Sequence, residues 1–365
     1  YIHYPWCLKK CPYCDFNSHE GEVKTGYINA LIEDLEGDLK YVQNRAIESI
    51  FIGGGTPSLM STEDANDLID GLKERLTFSD NVEITMEANP GTFEVEKFAE
   101  FRNIGINRLS IGVQSFEDRQ LKFLGRVHSS NEAINAITEA QRVGFKNLNI
   151  DLMYGLNGQS IDMCIEDLNK AIELNPSHIS FYQLTLEPNT LFSKFPPRLP
   201  SEEVIWEMGE KGANLLNKKG FRQYEVSAYS TTPSIHNLNY WTFGDYIGIG
   251  AGAHGKITDM NTHQIFRTLK LKSPNEYLLS FKKNKKTSRK KMVDSLSFEF
   301  MLNGLRLIDG FDSGLYESRT GLSIESVRSQ IIKAEKLNLL DTRDNWIKPT
   351  KSGYSFLNEL QEIFL

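Results

Sequence analysis

The chain contains no apolar run near the roughly 18–20 residues that cross a bilayer, which leaves no candidate for a membrane-spanning helix. Cysteine is scarce: four in 365 residues do not make a disulfide framework, so a reducing, cytoplasmic setting is the expectation. Positive charge is not in excess, and a net charge of −7 argues against a nucleic-acid partner. No signal peptide is visible, and the chain starts at Tyr1 without methionine, so its true N-terminus is left open. No tandem repeat is present. What is there has the balance of a globular protein, 40% apolar and 24% charged, long enough for one large α/β domain and a smaller one.

Three of the four cysteines fall within eight residues, as Cys7-Leu8-Lys9-Lys10-Cys11-Pro12-Tyr13-Cys14. Three thiolates so close repel one another unless a metal holds them. An iron–sulfur cubane with three protein ligands keeps one iron open for another ligand. Zinc, with His3 or His19 as a fourth ligand, is the rival reading, although structural zinc usually uses paired C-x2-C hooks. Unrelated thiols are the bland one. Cys164, in a helical stretch, reads as an ordinary thiol.

Beyond the loop, apolar β-branched runs at 47–52, 82–87, 108–113, 148–153 and 179–186 alternate with helical stretches at 25–42, 62–75, 94–104, 131–143 and 161–174. With the opening run at 1–4 this gives six β-α units. The expected fold class is α/β, a partial (β/α)6-type barrel with its strands covered by helices. A helix at 201–219 and a strand at 223–229 follow. After Gly255 the rhythm stops. Residues 282–291 carry seven positive charges and read as a solvated linker; anionic headgroups, and so peripheral membrane association, are the sharper reading. Helices at 296–307, 323–337 and 350–364, with a hairpin at 340–347, suggest a mainly helical, winged-helix-like C-terminal domain. The expected divisions are 1–230, 231–292 and 293–365.

Chemistry in a parallel barrel gathers at the C-terminal ends of its strands. Strand two runs into Gly53-Gly54-Gly55-Thr56-Pro57-Ser58, where glycines permit close backbone approach; the Gly-Lys-Ser/Thr ending of a Walker loop is absent. Glu87, Gln114 and Asp151 are polar residues at or near the ends of successive apolar strands, and if buried they need partners. Two carboxylates, an amide and free backbone donors would suit a cationic ligand bearing an amino acid.

Together the C-x3-C-x2-C loop, 53–57, Glu87-Ala88-Asn89-Pro90, 112–116, Leu124-Gly125-Arg126 and 150–156 resemble the radical S-adenosylmethionine (SAM) superfamily. Within it they resemble the oxygen-independent coproporphyrinogen III oxidase family and its heme-chaperone branch. The resemblance covers almost the whole chain. It implies a [4Fe–4S] cluster on Cys7, Cys11 and Cys14, with SAM on the open iron. It places Tyr1, Tyr13, Gly54, Gly55, Thr56, Glu87, Gln114, Arg126 and Asp151 around SAM. It also implies an electron donor wherever the cluster is redox-active.

Two features separate the branches. The oxidases carry a further cysteine two residues after the third ligand, where this chain has Phe16. His236-Asn237-Leu238-Asn239-Tyr240-Trp241 matches the H-N-x-x-Y-W motif of the chaperones, which makes His236 the leading candidate for heme. His254 is the second, although its position in the oxidases lies near SAM. The resemblance thus implies a protein that binds heme and passes it to acceptor proteins. The alternative is radical decarboxylation of coproporphyrinogen III.

Overall fold

The computed structural model describes residues 1–91, 95–283 and 288–365. Six strands, β1 (Ile2–Tyr4), β2 (Ile47–Gly54), β3 (Phe78–Ala88), β4 (Arg108–Gln114), β5 (Asn147–Tyr154) and β6 (His178–Gln183), pair in chain order and all in parallel. Helices Tyr27–Asp38, Thr62–Arg75, Phe98–Ile104, Ser130–Arg142 and Ile161–Glu173 make the crossovers. The expected six-unit partial barrel is therefore present. The helix expected over 94–104 is found as Phe98–Ile104, and position 94 lies outside the described residues.

The strands are less uniformly apolar than their sequence suggests. Successive side chains point to opposite faces. Leu109, Ile111 and Val113 of β4, with Leu148, Ile150 and Leu152 of β5, join the main hydrophobic core beneath the helices. Their neighbours Ser110, Gly112, Gln114, Asn149 and Asp151 face the barrel interior and line a cavity. The fold thus buries one face of the sheet in hydrocarbon and turns a polar face inward.

Three expectations need correction beyond β6. Residues 223–229 form no single strand; Arg222–Gln223 and Ala228–Ser230 are two short strands paired antiparallel to each other, and Ala228–Ser230 also pairs antiparallel with β6. Past Gly255, strands His254–Thr258, Ile265–Lys270 and Ser288–Met292 make an antiparallel sheet. The basic run is therefore a linker only in part: its positions 288–291 belong to an edge strand, while 284–287 lie outside the described residues. An edge strand needs only one partner and tolerates solvated charges. Lys290 also sets its ammonium 3.7 Å from the Phe266 ring centre.

The C-terminal domain has its own core, built on Phe300, Phe311, Tyr316, Ile331 and Leu360. Its hairpin is Leu340–Arg343 and Trp346–Pro349, extended by Phe311–Asp312. The last expected helix is broken at Phe356 into Lys351–Ser355 and Leu357–Glu362. Phe243, from the segment after the H-N-x-x-Y-W helix, packs into this core and tethers the domain to the barrel.

Candidate functional site

The C-terminal ends of the strands open into a cavity of about 470 Å³, within the range of small-molecule sites. Cys7, Cys11 and Cys14 form one side of its mouth, with Tyr13 between them. Gly54, Gly55 and Thr56 form the adjoining wall. Glu87, Gln114, Arg126 and Asp151 complete it from β3, β4, the loop beyond β4, and β5. These eleven expected residues are brought together. Tyr1, His236 and His254 are not among them; they line a neighbouring cavity of about 420 Å³. Phe16, Phe51, Gly54, Glu87 and Asn237 are shared by both.

The cysteines are free thiols. Burial pushes Cys7 and Cys14 above the usual thiol range, while hydrogen bonds from Thr56 and Ser18 respectively act in the opposite direction. Arg126 points Nη1 at Cys11 Sγ, 3.7 Å away. Its Nη2 donates to Gly112 O at 2.6 Å and Asn89 Oδ1 at 2.5 Å, and its buried Nε has no partner among the described residues. Three sulfurs beside an unsatisfied guanidinium N–H suit an anionic iron–sulfur cluster, in which each thiolate holds a separate iron. Among the described residues no three His, Cys, Asp or Glu groups converge tightly enough for a single metal ion.

The glycine loop serves a different purpose from the one its sequence suggests. Its amides are already bonded: Gly54 N to Glu87 Oε2 at 2.9 Å, Gly55 N to Tyr4 O and Thr56 N to Trp6 O, both at 2.7 Å. A Cβ on Gly55 would sit 2.4 Å from the Trp6 carbonyl, and one on Gly54 2.6 Å from the His3 ring. The glycines let β1 and the cysteine loop press against β2. The free backbone donors expected here are therefore committed to protein partners, although all three residues line the cavity.

Burial raises the Glu87 carboxyl to about 7, nearby Asp151 adding to the rise and the Gly54 N–H opposing it. Asp151 is raised too, chiefly by burial, and accepts from Asn149 Nδ2 at 2.7 Å. Gln114 sits at a register shift in β4 with φ of 74°. A non-glycine residue in the left-handed region costs on the order of 1–3 kcal/mol, and the surrounding structure must hold it there. Tyr182 on β6 does so, its hydroxyl donating to Gln114 Oε1 at 2.7 Å.

Several wall residues escaped the sequence reading: Phe51, Ser110, Asn149, Tyr182 and Arg108, whose buried Nε also lacks a partner among the described residues. Their signal is a break in apolar character at every second strand position, as in Arg108, Ser110, Gly112 and Gln114. Glu83 was likewise missed. Its carboxylate accepts from Ser234 Oγ, Ile235 N and His236 N at 2.9–3.2 Å, fixing the helix Ile235–Trp241 to the barrel. His236 is 5% exposed, stacked on Phe51 at 4.7 Å and edge-on to Tyr240 at 4.7 Å, with Nδ1 3.4 Å from Ser49 Oγ. His254 lies exposed on the rim of the outer cavity.

Residues 1–171 match the Radical SAM superfamily and 294–356 match the HemN C-terminal domain. The chain is 46% identical to the Heme chaperone HemW of Haemophilus influenzae and 45% identical to that of Escherichia coli, each over 100% of this chain and 97% of the relative. The Bacillus subtilis protein of the same name is 32% identical over 100% and 98%. Coproporphyrinogen III oxidase (HemN) from Escherichia coli superposes with a TM-score of 0.84 at 20% identity, covering 100% of this chain and 89% of that one, which establishes the shared fold. With barrel, cysteine loop and C-terminal domain all matched, the chain belongs to the radical SAM superfamily and, within it, to the family of the bacterial heme chaperone HemW.

Proposed function

We propose that this protein binds heme and delivers it to acceptor proteins, while Cys7, Cys11 and Cys14 hold a [4Fe–4S] cluster to which SAM is bound. The observation that carries this reading is the pair of adjoining cavities. The inner one has thiols, two carboxylates and a guanidinium; the outer one is walled by Tyr1, Phe51, Tyr240 and Tyr246, rings suited to a porphyrin. When bound, the cluster supplies a one-electron donor and an open iron. Arg126, beside Cys11, would balance the cluster's charge, Glu87 and Asp151 would suit the ammonium of SAM, and Thr56 and Gln114 would offer partners to its polar atoms. Heme is cargo here. A cytoplasmic location and an electron donor for the cluster belong to the same reading.

Purified protein titrated with hemin should give a saturable heme spectrum. Supplied anaerobically with coproporphyrinogen, SAM and reductant, it should form no protoporphyrinogen. Turnover there would overturn the chaperone reading in favour of the oxidase. Phe16 supports the expected outcome: it is 58% exposed at the wall shared by both cavities and offers a phenyl ring, not a thiol.

Glu87 makes the inner site pH-dependent. Its folded value of about 7 exceeds the ordinary 4.5, so its contribution to stability is full below about pH 4.5 and is lost as pH rises through 7. Binding of a cation has the opposite sign, because it needs the carboxylate. SAM affinity of cluster-loaded protein, measured calorimetrically, should rise about tenfold from pH 6 to pH 8 as ionisation proceeds. Glu87→Gln should flatten that slope, and an unchanged slope would remove Glu87 from the site.

A further inference from the structure

The inner cavity has two levels. Gln114, Asp151 and the cysteine loop stand at its mouth, and below them β4 and β5 carry its lining inward through Gly112, Ser110 and Asn149 to Arg108, the first residue of β4. Inward-facing positions two apart on a strand are separated by roughly 6.6 Å, so the backbone of Arg108 lies well below the groups read as the SAM site. Ser180, Ser227 and Asn237 line the same cavity from other elements.

The neutral groups of this floor already bond one another. Asn149 donates Nδ2 to Ser110 Oγ at 2.8 Å and to Asp151 Oδ1 at 2.7 Å, and its Oδ1 accepts from Ser180 Oγ at 3.1 Å. The Tyr224 hydroxyl accepts from Asn237 Nδ2 at 3.1 Å and donates to His178 Nε2 at 2.9 Å, which leaves His178 Nδ1 to donate to Asn149 Oδ1 at 2.6 Å. Arg108 is the exception. It is 2% exposed, its Nε has no partner, and its Nη1 reaches only Thr85 Oγ1 at 3.5 Å. Among the described residues it makes no ion pair, because the nearby carboxylates are engaged elsewhere: Glu83 by Ser234, Ile235 and His236, Glu87 by Gly54, and Asp151 by Asn149. Burial works against its charge, while Glu83, Tyr224, Asp151 and Glu87 favour it from a distance. A guanidinium has five donors in a planar fork and stays protonated in proteins. A buried charge left unpaired by the fold is costly, and this one faces a cavity.

We propose that Arg108 anchors the carboxylate of a small organic acid on the floor of the inner cavity, beneath the SAM site. A carboxylate matches the guanidinium fork in a bidentate pair. A single negative charge suits the place better than a phosphate dianion, because Glu87 and Asp151 stand on the walls of the same cavity. Phe51, Ala88 and Met153 offer apolar contact to the acid's carbon skeleton. The proposal rests on reading the cavity mouth as the SAM site, since it takes the floor to be open when SAM is bound.

The test is calorimetric titration of the full chain with propionate, comparing parent, R108M and R108K, with inorganic phosphate as a second probe. The parent should bind propionate saturably and phosphate more weakly. R108M, and R108K with its charge but not its fork, should each bind propionate at least about tenfold more weakly than the parent. The thermal midpoint of R108M without ligand should equal or exceed the parent's, because an unpaired buried charge has gone. Cluster-loaded parent saturated with propionate should still bind SAM. Equal propionate affinity in R108M, tighter phosphate than propionate binding, or displacement of SAM by propionate would overturn the proposal. So would a lower midpoint in R108M, which would make the guanidinium a structural cation completed by water. A parent that binds SAM but not propionate would overturn this proposal alone, whereas a cluster-loaded parent that binds no SAM would overturn the reading of the mouth.

Discussion

Lys270→Met should destabilise the protein by about 3–5 kcal/mol, the typical cost of breaking a buried ion pair by removing one partner. Lys270 is buried on strand Ile265–Lys270, its Nζ 2.6 Å from Asp34 and 2.7 Å from Asp38, both buried on helix Tyr27–Asp38. Tyr277 donates to Asp34 at 2.7 Å and Gly250 N at 3.1 Å. One ammonium thus joins the first crossover helix, the antiparallel sheet and the helix Pro274–Lys282. Without it two carboxylates remain in hydrocarbon beside one another. Burial already holds Asp38 above its usual range against the pull of Lys270. A raised folded value means that stability from this group is present at acid pH and lost as pH rises. The deficit of the variant should therefore widen from pH 5 to pH 8. Urea denaturation at the two pH values measures it; a loss below about 1 kcal/mol at pH 8 would show that the cluster relaxes or hydrates. Lys270→Met with Asp38→Asn should recover part of the loss.

Glu83→Ala should act on the heme side alone. The carboxylate accepts three hydrogen bonds from the start of the helix Ile235–Trp241, and its removal leaves buried donors on Ser234 and His236 and a part-buried one on Ile235. Unsatisfied buried donors cost about 1–3 kcal/mol each, and because the three are not additive a total on the order of 3 kcal/mol is expected. Asn237, Tyr240 and Trp241 should lose their fixed position with the helix. Hemin affinity should fall, while SAM binding to cluster-loaded protein should change little because Glu83, although on β3 with Glu87, does not line the inner cavity. Equal losses of both ligands would mean that the barrel itself has given way. Unchanged thermal stability would mean that water replaces the carboxylate.

The sequence revealed most where its chemistry is local. The cysteine spacing, the glycine run and the polar strand ends named the inner wall, and the β-α rhythm gave the six parallel strands. It was least informative where charge is buried or an edge is solvated. Lys256 and Lys270 look like surface residues, yet each is buried against aspartates, Asp245 eleven residues away in one case and Asp34 with Asp38 at the other end of the chain in the other. Arg289, Lys290 and Lys291 look like a linker, yet they pair as a strand with Ile265–Lys270. In both cases hydrophobicity and strand position part company, because a distant partner rather than the residue's own polarity decides its place. His236 shows the same limit at the site: its motif is visible, but its enclosure by Phe51, Ser49 and Glu83 is not.

The buried ammonium has a consequence for how the chain is made. Asp34 and Lys270 are 236 residues apart, and β1 completes its hydrogen bonding only when Ile2 meets Ile249. At a synthesis rate of roughly 5–20 residues per second, about 10–50 s pass between the first partner and the second. Through that interval the two carboxylates on the side the helix will later bury have no Lys270 ammonium to pair with, and burying them unpaired would be costly. The edge of the barrel's opening strand is closed by a segment that is synthesised long after it.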